Sequence, residues 1–272
     1  MPNALIAELR ADERERMHHA DIAAYGAMYR AGAATIGSGC ADVNGALAMW
    51  NPGDESAAYN CLIAFETAPD PDRTWAMGEA AARAGGARVF GVGVTPERRD
   101  WATAHRLAAL SLTYEYEEIV WARRLNGSEA LPPVPEAVTL RTEGIDPVLF
   151  ARVLNRGWEL PEHHGRGSLY AATLGRPGWI HYLALVNGAA AGGACLFVHE
   201  GVALCMVAAT DSAYRGRGIQ TAFIARRLVD AIAAGCNLAA TETVEENASP
   251  RNFQRAGFRF VLRRAMYRTE LL

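Results

Sequence analysis

The chain has 272 residues, of which 50% are hydrophobic, and its formal net charge is −3. This length suits one large domain or two ordinary ones, and the hydrophobic share can supply a substantial core. The small negative charge argues against a broad nucleic-acid-binding surface, and no stretch is long and apolar enough to predict a membrane-spanning helix.

In the first half of the chain, predicted strands alternate with predicted helices. In chain order these are a strand at 58–65, a helix at 70–85, a strand at 87–94, a helical stretch at 96–110 and a strand-like segment at 112–121. Asp70 is well placed to cap the first helix, and Pro71 suits its first turn. Three prolines within 127–136 then predict an extended linker. We therefore expect one domain at 1–126 and a second at 137–272.

The second half opens with a predicted strand at 138–141 and a helix that begins after Asp146 and runs to about Arg156. Three further strands are predicted at 179–186, 192–198 and 202–209. The Asn187-Gly188 pair between the first two is a strong hairpin signal. These strands are therefore expected to run antiparallel to one another.

The most informative segment is a basic, glycine-rich turn, Tyr214-Arg215-Gly216-Arg217-Gly218. It follows the last of these strands and precedes an apolar-periodic helix predicted at 220–234. Glycines let several backbone N–H groups point into one small space, and a helix N-terminus adds partial positive charge there. The combination predicts a site for a phosphate or pyrophosphate.

Two other phosphate-binding motifs do not fit this turn. A P-loop requires a lysine after its last glycine, and the chain contains no lysine. A dinucleotide fingerprint requires a third glycine, whereas Ile219-Gln220-Thr221 follows the second glycine here.

The turn and the segments after it resemble the GNAT acetyltransferase superfamily. Residues 215–220 are similar to its Arg/Gln-x-x-Gly-x-Gly/Ala turn, with Gln220 in place of a small residue. The next segments are a strand at 237–244, Asn247, a helix at 250–256 capped by Ser249, and Gly257-Phe258. Their order is similar to that of the second GNAT motif. The resemblance covers residues 138–272.

The first half repeats the same order of elements, and Gly86 and Gly235 end corresponding helices. Its turn at 67–72 carries two prolines and two aspartates where a pyrophosphate would need free N–H groups. We interpret it as a degenerate GNAT-like domain that binds no coenzyme; chance similarity of two α/β segments is the alternative. The predicted fold class is α+β, with two GNAT-like domains, each a mixed, mostly antiparallel sheet flanked by helices.

The resemblance implies an acyl-CoA-dependent N-acyltransferase with acetyl-CoA as co-substrate. It implies that the pantetheine chain pairs with Met206, Val207 and Ala208, where a backbone N–H polarises the thioester carbonyl. It assigns to coenzyme binding the turn residues Arg215, Gly216, Arg217, Gly218, Ile219 and Gln220, together with Asn247 and Phe253.

Two further positions concern proton transfer. Phe253 stands where GNAT enzymes usually carry a tyrosine that protonates the leaving thiolate, and a phenyl ring cannot donate a proton. Glu242 is the candidate general base. Strand alternation places Glu242 on one face with Val244, and Thr241 and Thr243 on the other.

The expected acceptor is the amine of a small molecule, because the chain shows no basic patch for nucleic acid and no acidic tract for histone-like proteins. His163-His164 falls in the variable substrate loop of GNAT proteins, and Trp158, Tyr170 and Trp179 could line the acceptor pocket. A surface loop and an aromatic core are the alternatives. His18-His19 is expected on a helix surface.

We expect a monomer or homodimer in the cytoplasm, without a nucleic-acid or membrane partner. The cysteines, odd in number and without a Cys-x-x-Cys pair, are typical of reduced thiols, and residues 1–16 lack the apolar region of a secretory signal. No metal site is expected. Two other functions stay open: a catalytically silent acyl-CoA-binding module, and a thioester hydrolase or decarboxylase on the same fold.

Overall fold

The computed structural model describes residues 9–126, 138–244 and 249–271. The predicted linker 127–136 and Asn247 therefore lie outside the described residues. The strands of both halves of the chain join in one continuous sheet. None of the helices in the described ranges combines the length and the apolar character that a membrane crossing requires.

The first half of the chain contributes three helices and five strands to the described structure. In chain order they are α1 (Ala11–Ile36), β1 (Gly39–Val43), β2 (Ala46–Trp50), β3 (Cys61–Ile63), α2 (Pro71–Ala84), β4 (Val89–Val94), α3 (Ala104–Ala109) and β5 (Thr113–Arg124). Helix α1 and the β1–β2 hairpin precede the first strand that the sequence analysis predicted.

The described residues of the second half form four helices and seven strands. They are β6 (Thr139–Arg141), α4 (Pro147–Gly157), α5 (Gly165–Ala171), β7 (Trp179–Val186), β8 (Ala189–His199), β9 (Val202–Leu204), β10 (Ala208–Thr210), α6 (Ile219–Ala233), β11 (Leu238–Val244), α7 (Ser249–Arg255) and β12 (Arg259–Glu270).

Two predicted elements of the first half are shorter than expected. The predicted strand 58–65 is reduced to β3, because a 3-10 turn precedes it and Ala64 adopts a left-handed φ of 59°. The predicted helical stretch 96–110 divides into a 3-10 turn and α3, because Thr103 starts a new helix by accepting a hydrogen bond from the Arg106 N–H.

The sheet order is β1-β2-β3-β4-β12-β5-β11-β9-β8-β7-β6, and β10 pairs with β8. Only β3–β4 and β9–β11 are parallel among the described pairs. Helices α2 and α6 make the crossovers that such parallel pairs need. The predicted mixed, mostly antiparallel sheet flanked by helices is thus confirmed.

The last strand of each half completes the sheet of the other half. Strand β12 lies between β4 and β5, where Ala265 pairs with Val94 and Arg264 pairs with Glu118. Strand β5 pairs in turn with β11, so β5 and β12 are exchanged between the halves. The predicted division into 1–126 and 137–272 stays a prediction.

Helices cover both faces of the second half of the sheet. On one face α6 and α7 bury Phe223, Leu228 and Phe253. On the opposite face α1, α4 and α5 bury a second cluster that includes Met28 and Phe150. Successive side chains of a strand point to opposite faces of the sheet, so neighbouring residues of one strand can face different sets of helices.

Candidate active site

A cleft opens where the parallel strands β9 and β11 separate. They pair only from Val202 to Leu204, and the N–H of Cys205 donates the last hydrogen bond, to the Ala240 carbonyl at 2.8 Å. Beyond this point the chain turns to pair with β8, so the predicted strand 202–209 is two strands rather than one. A cavity of about 240 Å³ occupies the opening.

The backbone of Val207 offers a hydrogen-bond donor to this cavity. Its carbonyl accepts from the Cys195 N–H at 2.9 Å, whereas its own N–H has no partner among the described residues. Met206, Val207 and Ala208 all line the cavity, as the resemblance implies. Because Val207 is buried, an unpaired amide there is costly unless a ligand accepts its hydrogen bond.

The glycine-rich turn lines a second cavity of about 660 Å³. Gly216 and Gly218 have left-handed φ angles of 79° and 77°, which glycine adopts without strain. Gly218 also starts α6 without a side-chain cap, so the first N–H groups of the helix are left for a ligand. The two cavities share Trp158 and Gln220 in their linings and therefore lie next to each other.

The structure brings together most, but not all, of the predicted turn residues. The lining of the second cavity includes Arg215, Gly216, Gly218, Ile219 and Gln220. Arg215 forms an ion pair with Glu159 at 2.9 Å. Arg217 is not part of this lining, and its guanidinium carbon lies 5.7 Å from the centroid of the Tyr214 ring.

Helix α2, which corresponds to α6 in the first half, is closed at the same end. The Asp70 side chain accepts a hydrogen bond from the Arg73 N–H at 3.0 Å, and Pro71 has no N–H to offer. A carboxylate therefore occupies the helix N-terminus at which an anion would bind.

Glu242 lies in the cleft and faces α1. Its carboxylate accepts hydrogen bonds from the Tyr25 hydroxyl at 3.1 Å and from Arg264 Nη1 at 2.8 Å. Thr241 and Thr243 point to the opposite face, where Thr243 accepts from the Trp121 indole. The predicted alternation on this strand is confirmed.

Three more carboxylates surround Arg264, and we call Asp21, Glu66, Glu118 and Glu242 the carboxylate cluster. Arg264 Nη1 donates to Glu118 at 2.8 Å, and Nη2 lies 3.5 Å from Glu66. Burial, followed by the charge of Glu242, raises the pKa of Glu118 to about 8. The same two causes raise the pKa of Asp21 well above its ordinary value.

Sequence analysis found Glu242 but missed the other members of this cluster. Asp21, Tyr25 and Glu118 line the same cavity, and all three come from the first half of the chain. Nothing in the sequence sets Glu118 and Arg264 apart, since β5 carries two further glutamates and β12 three further arginines. Their meeting depends on the exchange of β5 and β12.

The remaining predicted positions have different surroundings. Phe253 lines the cavity, with its ring 5.0 Å from that of Phe258. Trp158 and Tyr170 also line it, whereas Trp179 packs against Phe197 in the core. His164 caps α5, which gives this histidine a structural role.

His18 does not lie on the helix surface as expected. Its Nδ1 is 3.4 Å from a Glu66 oxygen, on the side of α1 that faces the carboxylate cluster. Burial lowers the pKa of His18, because desolvation disfavours its charged form. Its neighbour His19 is exposed, as predicted.

A scan against protein-family models gives no match, and a search of curated proteins gives none either. Solved structures do match. A GCN5-related N-acetyltransferase from Kribbella flavida is 15% identical with a TM-score of 0.60, over 91% of this chain and 94% of that one. One from Sphaerobacter thermophilus is 18% identical with a TM-score of 0.59, over 86% and 76%.

A third match is a tandem GNAT protein from the clavulanic acid biosynthesis pathway, solved without AcCoA. It is 16% identical with a TM-score of 0.55, and the alignment covers 97% of both chains. Together with the paired parallel strands and the glycine-rich turn, these likenesses show that the chain has the GNAT acetyltransferase fold in its tandem form.

Proposed function

We propose that the protein is an acyl-CoA-dependent N-acyltransferase that moves a short acyl group to the amine of a small molecule. The observation that carries the proposal is that the two cavities adjoin. One lies at the uncapped start of α6, and the other is lined by Val207 and Glu242.

The residues that line these two cavities suit acyl-CoA as a substrate. The N–H groups at Gly218 and the start of α6 would hold the pyrophosphate, with Arg215 beside them. The backbone at Met206–Ala208, which lines the smaller cavity, would hold the pantetheine chain by hydrogen bonds. The Val207 N–H would then donate to the thioester carbonyl, which becomes an oxyanion in the transition state.

The opposite wall of the cleft suits a cationic acceptor. Glu66 and Glu242 both contact the guanidinium of Arg264, so two carboxylates face one cation, and the remaining negative charge attracts an ammonium group. A carboxylate of this cluster takes a proton from the ammonium and frees the amine lone pair. Glu118, whose pKa of about 8 lies close to neutrality, is suited to exchanging this proton.

The transfer step forms one covalent bond and breaks another. The amine nitrogen attacks the thioester carbon, a C–N bond forms, and the C–S bond breaks. The nitrogen loses its remaining extra proton to the carboxylate cluster. The thiolate leaves and takes a proton from water, since Phe253 has none to give. A thiol with a pKa near about 8.5 leaves without protonation at modest cost.

The reaction class is tested by incubating the protein with acetyl-CoA and a panel of small amines while free thiol is measured. Thiol release that requires an amine is the expected result. Release without amine would indicate a hydrolase, and tight coenzyme binding without release would indicate a silent binding module; either outcome would contradict the proposal.

We also propose a cytoplasmic location. Four of the five cysteines are buried as free thiols, and the fifth is partly buried and free. Free thiols of this kind suit a reducing compartment.

A further inference from the structure

A fully buried arginine lines the cleft without a carboxylate partner. Arg227 on α6 is 0% exposed and contributes to the cavity between β9 and β11. Its Nε donates to the Phe223 carbonyl at 3.2 Å, and its Nη1 donates to the Cys195 carbonyl at 3.4 Å. Its Nη2 has no hydrogen-bond partner among the described residues.

The neighbours of Arg227 leave its charge uncompensated. Asp230, one turn further along α6, is already engaged by Arg226 and by the Tyr182 hydroxyl. The Phe253 ring centroid lies 5.8 Å from the guanidinium carbon, which provides only a weak attraction. An arginine keeps its proton even when buried, and an unpaired buried charge is costly. The site is therefore built for an anion that arrives with a ligand.

The phosphates of the coenzyme are too far along the helix to be this anion. Arg227 lies eight residues beyond Ile219, which at 1.5 Å per residue is about 12 Å along the axis of α6. The glycine-rich turn already provides a phosphate site at the start of that helix. The counter-ion of Arg227 must therefore be elsewhere on the ligand.

The positions of charged residues on the two faces of the sheet indicate whether the acyl donor or the amine acceptor carries the anion. Arg227 and Phe253 lie on the face covered by α6 and α7, the same face as the glycine-rich turn. Glu242 lies toward α1, and together with Glu66 it outweighs the positive charge of Arg264, so this wall would repel an anionic group on the acceptor. A carboxylate that reaches Arg227 therefore belongs to the acyl group.

We propose that Arg227 binds a carboxylate at the end of the acyl chain, so that the donor is a dicarboxylic acyl-CoA of the malonyl or succinyl class. This inference rests on the proposed acyltransferase function. The bond changes stay the same: the C–N bond forms, the C–S bond breaks, and the distal carboxylate remains on the product amide.

Non-reactive CoA thioethers test this inference by calorimetric titration of the wild-type protein. One pair carries a 2-carboxyethyl or a 3-methylbutyl group, and the other carries a 3-carboxypropyl or a 4-methylpentyl group. Within each pair an isopropyl group replaces the carboxylate at the same position. In at least one pair we expect the carboxylate to bind about tenfold more tightly or better. Equal or weaker binding of both carboxylates would overturn the inference.

Variants of Arg227 test whether its guanidinium causes the preference for the carboxylate thioethers. Arg227→Met should abolish the preference for the carboxylate, and Arg227→Lys should retain part of it. Arg226→Met removes the same charge from the exposed neighbour on the same helix, and it should leave the preference unchanged. A carboxylate preference that survives Arg227→Met would also contradict the inference.

The results of these experiments distinguish a failure of this inference from a failure of the proposed acyltransferase function. If no CoA compound binds, the proposed function fails, and the inference fails with it. If all thioethers bind alike and amine-dependent thiol release from acetyl-CoA is seen, the function stands and only the role of Arg227 is wrong. If Arg227→Met lowers turnover of acetyl-CoA and of dicarboxylic donors equally, Arg227 stabilises the leaving thiolate instead.

Discussion

Replacing Gly218 by aspartate tests the phosphate site most directly. Gly218 starts α6 with a left-handed φ of 77° and lines the larger cavity. A carboxylate there would repel a pyrophosphate: two unit charges 4 Å apart interact by about 4 kcal/mol at an effective dielectric of about 20. Solvent screening reduces this, so we expect a loss of about 2 kcal/mol or more in binding free energy, roughly 30-fold in affinity.

Gly235→Asp is the matched control for this change. Gly235 follows the other end of α6 with a φ of 76°, and no described heavy atom outside the adjoining residues lies within 4 Å of the position its Cβ would take. Both variants bear a backbone strain of about 1 kcal/mol, but only the first places a charge in the larger cavity. Calorimetric titration with CoA measures the affinity, and thermal unfolding checks that both variants fold. A folded Gly218→Asp variant with wild-type affinity would refute the assigned site.

Four further predictions follow from the same geometry. Titration should give one CoA per chain, because the Asp70 cap closes the corresponding helix of the first half; a stoichiometry of two would contradict this. Phe253→Tyr should leave the single-turnover rate unchanged, since an added hydroxyl in an apolar site lacks a partner, and a gain of about tenfold would show that leaving-group protonation limits the reaction. Glu242→Gln should lower the turnover of amine but keep CoA affinity, and a large loss of CoA binding would argue for a different role. Because the pKa of Glu118 rises from 4.5 to about 8 on folding, the folded state retains a proton that the unfolded chain releases. The free energy of unfolding should therefore fall as pH rises through this window, and urea unfolding of Glu118→Gln should show a flatter profile; an unchanged profile would argue against the raised pKa.

The sequence by itself was sufficient for the parts of the site that depend on local structure. The turn at 214–218 and the helix after it were predictable, because glycine conformation and apolar periodicity act over a few residues. The faces of Glu242 and Thr243 followed from the two-residue alternation of a strand. The Asp70 cap, and with it the closed helix of the first half, could also be read from neighbouring residues.

Only the tertiary structure decided which distant residues share the cleft. The exchange of β5 and β12 brings Glu118 and Arg264 to Glu242, and the break after Cys205 leaves the Val207 N–H unpaired. Arg227 gave no sign of its burial in sequence, since the adjacent arginine on the same helix is exposed. Strand pairing and burial are settled by competition among all apolar surfaces of the chain, and no window of neighbouring residues contains that information.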